Sequence, residues 1–202
     1  MNVAKNSTTL DDSGGGWLPS LVFSAVFVVA CGLVYPAVST LLGGALFPHQ
    51  ANGSLIERDG RVVGSSLVAQ PFADARYFQP RPSAAGYDPK ALSGSNLASS
   101  NPALRERVEK DSAAVAARES VAAIQIPSDL VTASGSGIDP HISPAAAQVQ
   151  AARVAHARGV PFADVEAAIK AHTQKPTLGV FGAARVNVLE LNLALDARQG
   201  TK

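Results

Sequence analysis

The sequence predicts an α+β protein in which one N-terminal transmembrane helix precedes a single mixed α/β extramembrane domain. Three observations indicate this fold class. Residues 17–47 contain no Asp, Glu, Lys or Arg, short apolar segments flank an Asp-Gly pair at positions 59 and 60, and several later segments begin with helix-capping residues. The predicted organisation is a flexible, polar tail in residues 1–16, a membrane helix in residues 17–47 and one domain in residues 48–202.

The apolar core of the membrane segment runs from Leu21 to Leu42. At about 1.5 Å per residue it would cross roughly 33 Å of hydrocarbon, and it is too long for the apolar region of a cleaved signal peptide. An alternative is a lipoprotein processing box ending at Cys31, but cleavage there would leave another apolar run, from 33 to 47, in place of a polar tether. The basic residues near the two ends of the segment do not decide its orientation.

Small residues in this segment predict that it packs against another helix. A proline inside a membrane helix frees a carbonyl that neighbouring helices, hydroxyl side chains or water must satisfy. Small side chains let two helix backbones approach closely. The residues expected at this contact are Gly32, Pro36, Ser39, Thr40 and Gly43.

The extramembrane domain is predicted to begin with a hairpin. Asp59-Gly60 supplies the positive φ angles of a tight turn between short strands at residues 54–57 and 61–63. Residues 79–101 are dense in Pro, Gly, Ser and Asn. A loop of this length inside a compact domain is uncommon, and such loops are usually functional or disordered.

Helix-start signals divide the second half of the domain. Asn101 and Ser143 each precede a proline, which places a capping residue before a first helical position. The resulting predictions are helices from Pro102 to about Ala123, from Pro144 to Gly159 and from near Pro161 to about His172, with a short buried strand at Asp129–Ala133.

The last segment is predicted to be a helix. Asn187 and Glu190 have the spacing of a capping box, and leucines four residues apart follow them. Residues 186–195 also alternate in a way that fits a strand, so both interpretations stay open.

Composition and motifs limit the possible chemistry. The formal net charge is +1, which indicates no nucleic-acid partner, and the single Cys31 excludes an intramolecular disulfide. The sequence has no phosphate-binding P-loop and no Gly-x-Ser-x-Gly nucleophile elbow. With four histidines in the chain, the common zinc sites are poorly supported.

Three groups of residues are candidates for a site. Ser93, Gly94, Ser95 and Asn96 resemble the signature with which ABC-type ATPases contact a nucleotide phosphate, although a solvated loop explains them as well. Residues 134–137 could form an anion nest or half a metal site, or simply a strand-to-helix turn. A candidate partner interface comprises planar and charged residues of the kind that anchor protein contacts: Tyr77, Phe78, Arg81, Tyr87, Asp139 and His141.

Four blocks of the sequence carry a resemblance to a known family. They are YFxPRPS at residues 77–83, GSNL through SNP at residues 94–102, PSDLVTASGSGIDPHISPAAA at residues 127–147 and RVNVLELNLALD at residues 185–196. Together with the single N-terminal span, they resemble the C subunit of the Kdp-type potassium-transporting ATPases. The extended leader of residues 1–16 departs from the family pattern.

The resemblance implies an accessory, single-pass subunit of a pump in the cell inner membrane, with potassium as the transported ion. The implied partners are a channel-like potassium-binding subunit, a P-type ATPase subunit that hydrolyses ATP and a small single-span subunit. This chain would then be no enzyme and would hold no metal or cofactor of its own.

Two features attributed to the family conflict. It is described as a catalytic chaperone that raises ATP affinity, with a nucleotide role for the stretch matching Ser93 to Asn96. Its usual topology, however, places the large domain in the periplasm, where cytosolic ATP cannot reach it. We therefore expect a domain that caps the external mouth of the potassium-conducting subunit. A rival from another class is a free-standing membrane-tethered binding protein or enzyme that uses Asp139 and His141 as a metal or acid–base pair.

Overall fold

The apolar stretch folds into one continuous helix from Trp17 to Leu46 in the computed structural model, which describes residues 16–199. Of the described helices, it is the one that is long and apolar enough to cross a membrane. The predicted tail lies outside the described residues except for Gly16. The helix comprises α1 (Trp17–Val29), a π-helical turn (Ala30–Val34) and α2 (Tyr35–Leu46), and the short helix α3 (Pro48–Ala51) follows it.

The π-helical turn accommodates the proline. Pro36 has no N–H to donate, and the N–H of Tyr35 bonds to the carbonyl of Ala30, one residue farther back than in an α-helix. The helix therefore continues through the proline without a break. The chain divides into two compact units between Asn52 and Gly53.

The second unit begins with the predicted hairpin, formed by β1 (Leu55–Arg58) and β2 (Arg61–Ser65). Asp59 and Gly60 have φ angles of 52° and 72°. These values confirm the Asp-Gly turn, in which both central residues need positive φ.

Local capping starts and ends the helices of the domain. The side chains of Asn101 and Ser143 accept hydrogen bonds of 3.0 Å from the N–H groups of Ala103 and Ala146. Both predicted starts are therefore confirmed. The helices are α4 (Pro102–Glu119), α5 (Pro144–Arg158), α6 (Phe162–His172) and α7 (Val188–Gln199).

Two predicted features differ from the structure. Helix α4 ends at Glu119, before Ala123, because Ser120 adopts a left-handed conformation with φ of 55°. The strand predicted at Asp129–Ala133 is wrong, since Ser128–Leu130 forms a 3₁₀ turn instead. The Asp129 carboxylate accepts hydrogen bonds from the N–H (2.7 Å) and the hydroxyl (3.2 Å) of Ser143, which curls this segment against the start of α5.

A small antiparallel sheet joins the later elements. Its strands are β3 (His141–Ile142), β4 (Thr173–Gln174) and β5 (Arg185–Asn187), with β5 in the centre. Strand β5 runs directly into α7, and the Asn187 side chain accepts from the N–H of Glu190 at 3.1 Å. The helix interpretation of the last segment is thus correct from Val188 onwards, and the strand interpretation holds only for residues 186–187.

Helix α5 lies at the centre of the core and packs against α4 and α6. Its buried face is mostly alanine, which lets neighbouring helices come close. The buried apolar residues are Phe78, Val115, Leu130, Ile142, Ala146, Ala147, Ala151, Val154, Ala155, Val165, Ala168, Ile169, Val186, Val188, Leu191 and Leu195.

Residues 66–101 contain no helix or strand, yet side chains from the helices hold them in place. Phe78 donates its N–H to Asn192 Oδ1 (2.8 Å), and its carbonyl accepts from Asn192 Nδ2 (3.0 Å). Gln79 makes the same pair of bonds with Gln150, at 2.8 and 3.2 Å. We call these two pairings the amide clamps. They satisfy backbone groups that a neighbouring strand would otherwise satisfy.

Candidate functional site

Two polar loops that are far apart in sequence meet on the surface of the domain. The Ser83 hydroxyl donates to the carbonyl of Gly137 (2.6 Å) and accepts from the N–H of Tyr87 (2.9 Å). Ser134 donates its N–H to the carbonyl of Pro82 (3.0 Å). The loop of residues 79–101 and the turn of residues 134–137 therefore form one structure, which we call the loop joint.

Glycines form the closest contact within the loop joint. A Cβ added at Gly94 would lie 2.9 Å from the carbonyl oxygen of Gly135, which is too close for any side chain. Gly137 has φ of 77°, and a Cβ there would lie 2.8 Å from the carbonyl oxygen of Ser93. Packing alone thus explains why these positions are glycine.

The candidate nucleotide residues lie in this contact. Ser93 is exposed, and its hydroxyl donates to the carbonyl of Gly94 (2.9 Å). Ser95 is half-buried, and Asn96 is exposed with φ of 49°. These positions describe an ordered turn that packs on residues 134–137, and a nucleotide role for them stays a prediction.

An ion pair lies beside the loop joint. Arg81 Nη1 is 3.0 Å from Asp139 Oδ2, and Asp139 Oδ1 accepts from the N–H of His141 at 3.0 Å. The Nδ1 atom of His141 lies 3.6 Å from the same carboxylate oxygen. Burial on its own would raise the pKa of Asp139, but its bonds to His141 and Arg81 outweigh burial, so this pKa lies below its ordinary value.

The chemistry of Asp139 follows from these contacts. A general acid or base has to exchange its proton near the working pH, whereas a carboxyl group with a lowered pKa stays ionised. Both of its oxygens also have partners within the chain. The arrangement therefore favours a structural role for Asp139 over an acid–base role. Among residues 16–199, no group of three or more His, Cys, Asp or Glu could hold a metal ion.

An open groove of about 620 Å³ adjoins the ion pair. Arg81, Asp139 and His141 are among the residues that line it, and Asp129 and Arg185 contribute two further charges. The groove therefore carries charges of both signs.

The aromatic residues of the predicted interface separate into different environments. The Tyr87 hydroxyl donates to the carbonyl of Arg81 (2.9 Å), which places Tyr87 at the loop joint, and burial raises its pKa. Tyr77 belongs to another cluster, where its hydroxyl donates to Asp196 (3.2 Å) and Arg158 lies 5.2 Å from the ring centroid. The pKa of Tyr77 is raised by burial and then by Asp196.

Phe78 differs from its neighbours because its side chain is fully buried in the core. It therefore offers no surface to a partner, and the prediction that Phe78 belongs to the interface is wrong. Four of the predicted interface residues lie together in or beside the loop joint, and they are Arg81, Tyr87, Asp139 and His141.

Sequence reasoning missed the residues that fix the long loop. The Glu119 side chain is fully buried and pairs with Arg153 Nε at 2.9 Å, while Arg153 Nη1 donates to the carbonyl of Tyr77 at 3.0 Å. Polar residues on the buried face of a helix are the available signal, and Gln150 stands among alanines in α5.

A second missed feature is an exposed apolar turn near the end of the chain. Leu178, Val180 and Phe181 are 86%, 78% and 65% exposed. The signal was available here as well, because residues 176–184 contain no charged residue.

The sequence was compared with known proteins. The family model described as "K+-transporting ATPase, c chain" matches residues 17–197. A potassium-transporting ATPase KdpC subunit of Xanthomonas campestris pv. campestris strain B100 is 54% identical over 94% of this chain and 91% of its own length. Proteins of the same name are 56% identical in Shewanella putrefaciens (86% and 87% of the two chains) and 55% identical in Caulobacter vibrioides (89% and 92%).

The family match spans the apolar helix and all four sequence blocks, and together with the similar proteins it confirms the resemblance that the blocks carry. The chain therefore belongs to the KdpC family, the c chain of the K+-transporting ATPase, and is a subunit of that transporter.

Proposed function

We propose that this chain is an accessory, non-catalytic subunit that stabilises the assembly of a potassium-conducting subunit with an ATP-hydrolysing subunit. The observation that carries the proposal is the pairing of Asp139 with Arg81 at 3.0 Å, together with its lowered pKa. Asp139, the acidic member of the predicted acid–base pair, thus contributes to holding two loops together. ATP hydrolysis belongs to a partner subunit, and potassium is the transported ion.

Family membership also bears on the rival interpretations. A transporter subunit replaces the alternative of a free-standing tethered enzyme, since the family model matches residues 17–197. The partners we propose are a channel-like potassium-binding subunit, a P-type ATPase subunit and a small single-span subunit. The exposed apolar helix from Trp17 to Leu46 supports such partners, because it carries small residues suited to helix contacts.

The large domain is proposed to lie in the periplasm, over the external mouth of the potassium-conducting subunit. Trypsin added to intact spheroplasts is expected to cleave most of the domain, because Arg61 and Lys90 are exposed basic residues in turns or strands at its surface. Immunoblotting against a C-terminal tag gives the readout, and an intact cytoplasmic marker protein serves as the control. Full protection of the tag, with cleavage after lysis, would place the domain in the cytoplasm.

Direct contact with ATP is the alternative proposal. The Gly94–Gly135 contact gives Gly94 a packing role that needs no nucleotide, and a periplasmic domain would not meet cytosolic ATP. Ser95→Ala and Asn96→Ala are therefore expected to leave the ATP concentration for half-maximal activity unchanged within about twofold, a difference below 0.5 kcal/mol. The measurement is the ATPase activity of the purified complex at varied ATP. An increase of several-fold in an intact complex would instead support the catalytic chaperone.

A further inference from the structure

A small hairpin projects from the domain between β4 and β5. Thr177 and Phe181 pair through two backbone hydrogen bonds of 2.8 and 2.9 Å, and Leu178 and Gly179 form the turn with φ angles of 55° and 77°. We call residues 177–181 the apolar hairpin.

The apolar hairpin exposes its largest side chains. Leu178, Val180 and Phe181 are all more than 60% exposed, although burying each such side chain is worth about 1.5–3 kcal/mol. The turn also places a leucine at positive φ, where glycine or asparagine is usual. An ordered turn that presents apolar side chains to solvent is typical of a binding surface.

The apolar hairpin continues into the charged groove. Ala183, Ala184 and Arg185, which follow it in sequence, line the groove together with Arg81 and Asp139. This surface therefore has an apolar projection with a polar border of both charges. Protein interfaces have the same organisation, with an apolar centre and a polar rim.

We propose that the apolar hairpin inserts into an apolar pocket on another subunit of the potassium-transporting complex. The inference rests on the proposed function, because it assigns the surface through which an assembly subunit would hold its partner. The groove residues then form the rim of the contact, to which Arg185 and Asp129 contribute charges of opposite sign.

Two other occupants fit the surface less well. A bilayer with anionic headgroups favours an excess of basic residues around the apolar group, whereas Asp129 and Asp139 offset Arg81 and Arg185 here. In a twofold dimer the same patch meets itself, so the apolar hairpin would meet another hairpin rather than a pocket.

The test uses the complete complex, co-expressed and purified through a tag on this chain. The double variant Leu178→Ser/Phe181→Ser is expected to recover about tenfold less of the other subunits, which corresponds to about 1.4 kcal/mol. The matched control is Ile124→Ser, because Ile124 is 93% exposed but lies after α4. Equal recovery with the double variant and the control would overturn the inference.

A photo-crosslinking amino acid at position 180 identifies the occupant, since Val180 is 78% exposed. An adduct with another subunit of the complex supports the inference, and adducts only with lipid or with a second copy of this chain overturn it. Failure of the unmodified chain to co-purify with any transporter subunit would overturn the proposed function. Normal co-purification with no effect of the double variant would overturn only the hairpin's role.

Discussion

Replacing Asn192 with leucine is expected to lower the free energy of unfolding of the domain by about 3 kcal/mol, because each buried backbone group left unpaired costs about 1–3 kcal/mol. Phe78 is fully buried, and Asn192 satisfies both its N–H and its carbonyl. Leucine has nearly the shape of asparagine and offers neither a donor nor an acceptor. The measurement is urea unfolding of the purified full chain in mild detergent, followed by circular dichroism.

The second amide clamp, in which Gln150 bonds to the backbone of Gln79, allows a comparison with a control residue on the same helix, α5. Gln150→Leu removes both bonds to Gln79 and is expected to cost about 2 kcal/mol, less than Asn192→Leu because Gln79 is only half-buried. Gln148→Leu is the matched control on the same helix, since Gln148 is exposed and its side chain bonds to that of Glu166.

Hydrogen exchange adds a local readout for the clamps. The amides of Phe78 and Gln79 are expected to be protected in the unmodified chain and to lose protection in the respective variants. If Asn192→Leu and Gln150→Leu unfold at the same urea concentration as the unmodified chain and as Gln148→Leu, the clamps do not hold the loop.

The parts of the fold that local chemistry decides were predictable from sequence. Asp59-Gly60 needs no distant partner to form its turn, and Asn101 and Ser143 cap the helix that follows each of them. The three contacts join residues no more than three positions apart.

The features that were missed depend on contacts between distant residues. Phe78 and Asn192 are 114 residues apart in sequence, and no local pattern pairs them. Phe78 was assigned to an interface because aromatic and arginine residues surround it in sequence, whereas its side chain enters the core. The strand expected at residues 129–133 failed for a similar reason, because Asp129 bonds to Ser143.

The candidate site likewise contains residues that the sequence predicts and contacts between distant residues that it does not. Residue types indicated Arg81, Tyr87, Asp139 and His141, and the structure brings these four together at the loop joint. The contact between Gly94 and Gly135 was not predictable, because two separate serine-glycine stretches each resembled a ligand loop. Their packing on one another provides a structural reason for both stretches.

The membrane segment carries the second large prediction. Pro36, Ser39, Thr40 and Gly43 follow the spacing of one helix face, and Gly32 lies one turn earlier in the π-helical turn. A Cβ added at Gly32 or Gly43 would meet no atom within 4 Å. Nothing in the described chain therefore requires glycine at these positions, and a helix of a partner subunit would explain them.

Replacing residues 21–43 with polyleucine is expected to leave the chain in the membrane but to lower recovery of the other subunits about tenfold or more, because close helix packing is lost while hydropathy is kept. The matched control is polyleucine that retains the small residues of this face, and it should restore recovery of the other subunits. The retained residues are Gly32, Pro36, Ser39, Thr40 and Gly43. Membrane fractionation and affinity purification measure the two effects separately. Full recovery with uninterrupted polyleucine would show that the segment is only an anchor, and assembly would then depend on the extramembrane domain alone.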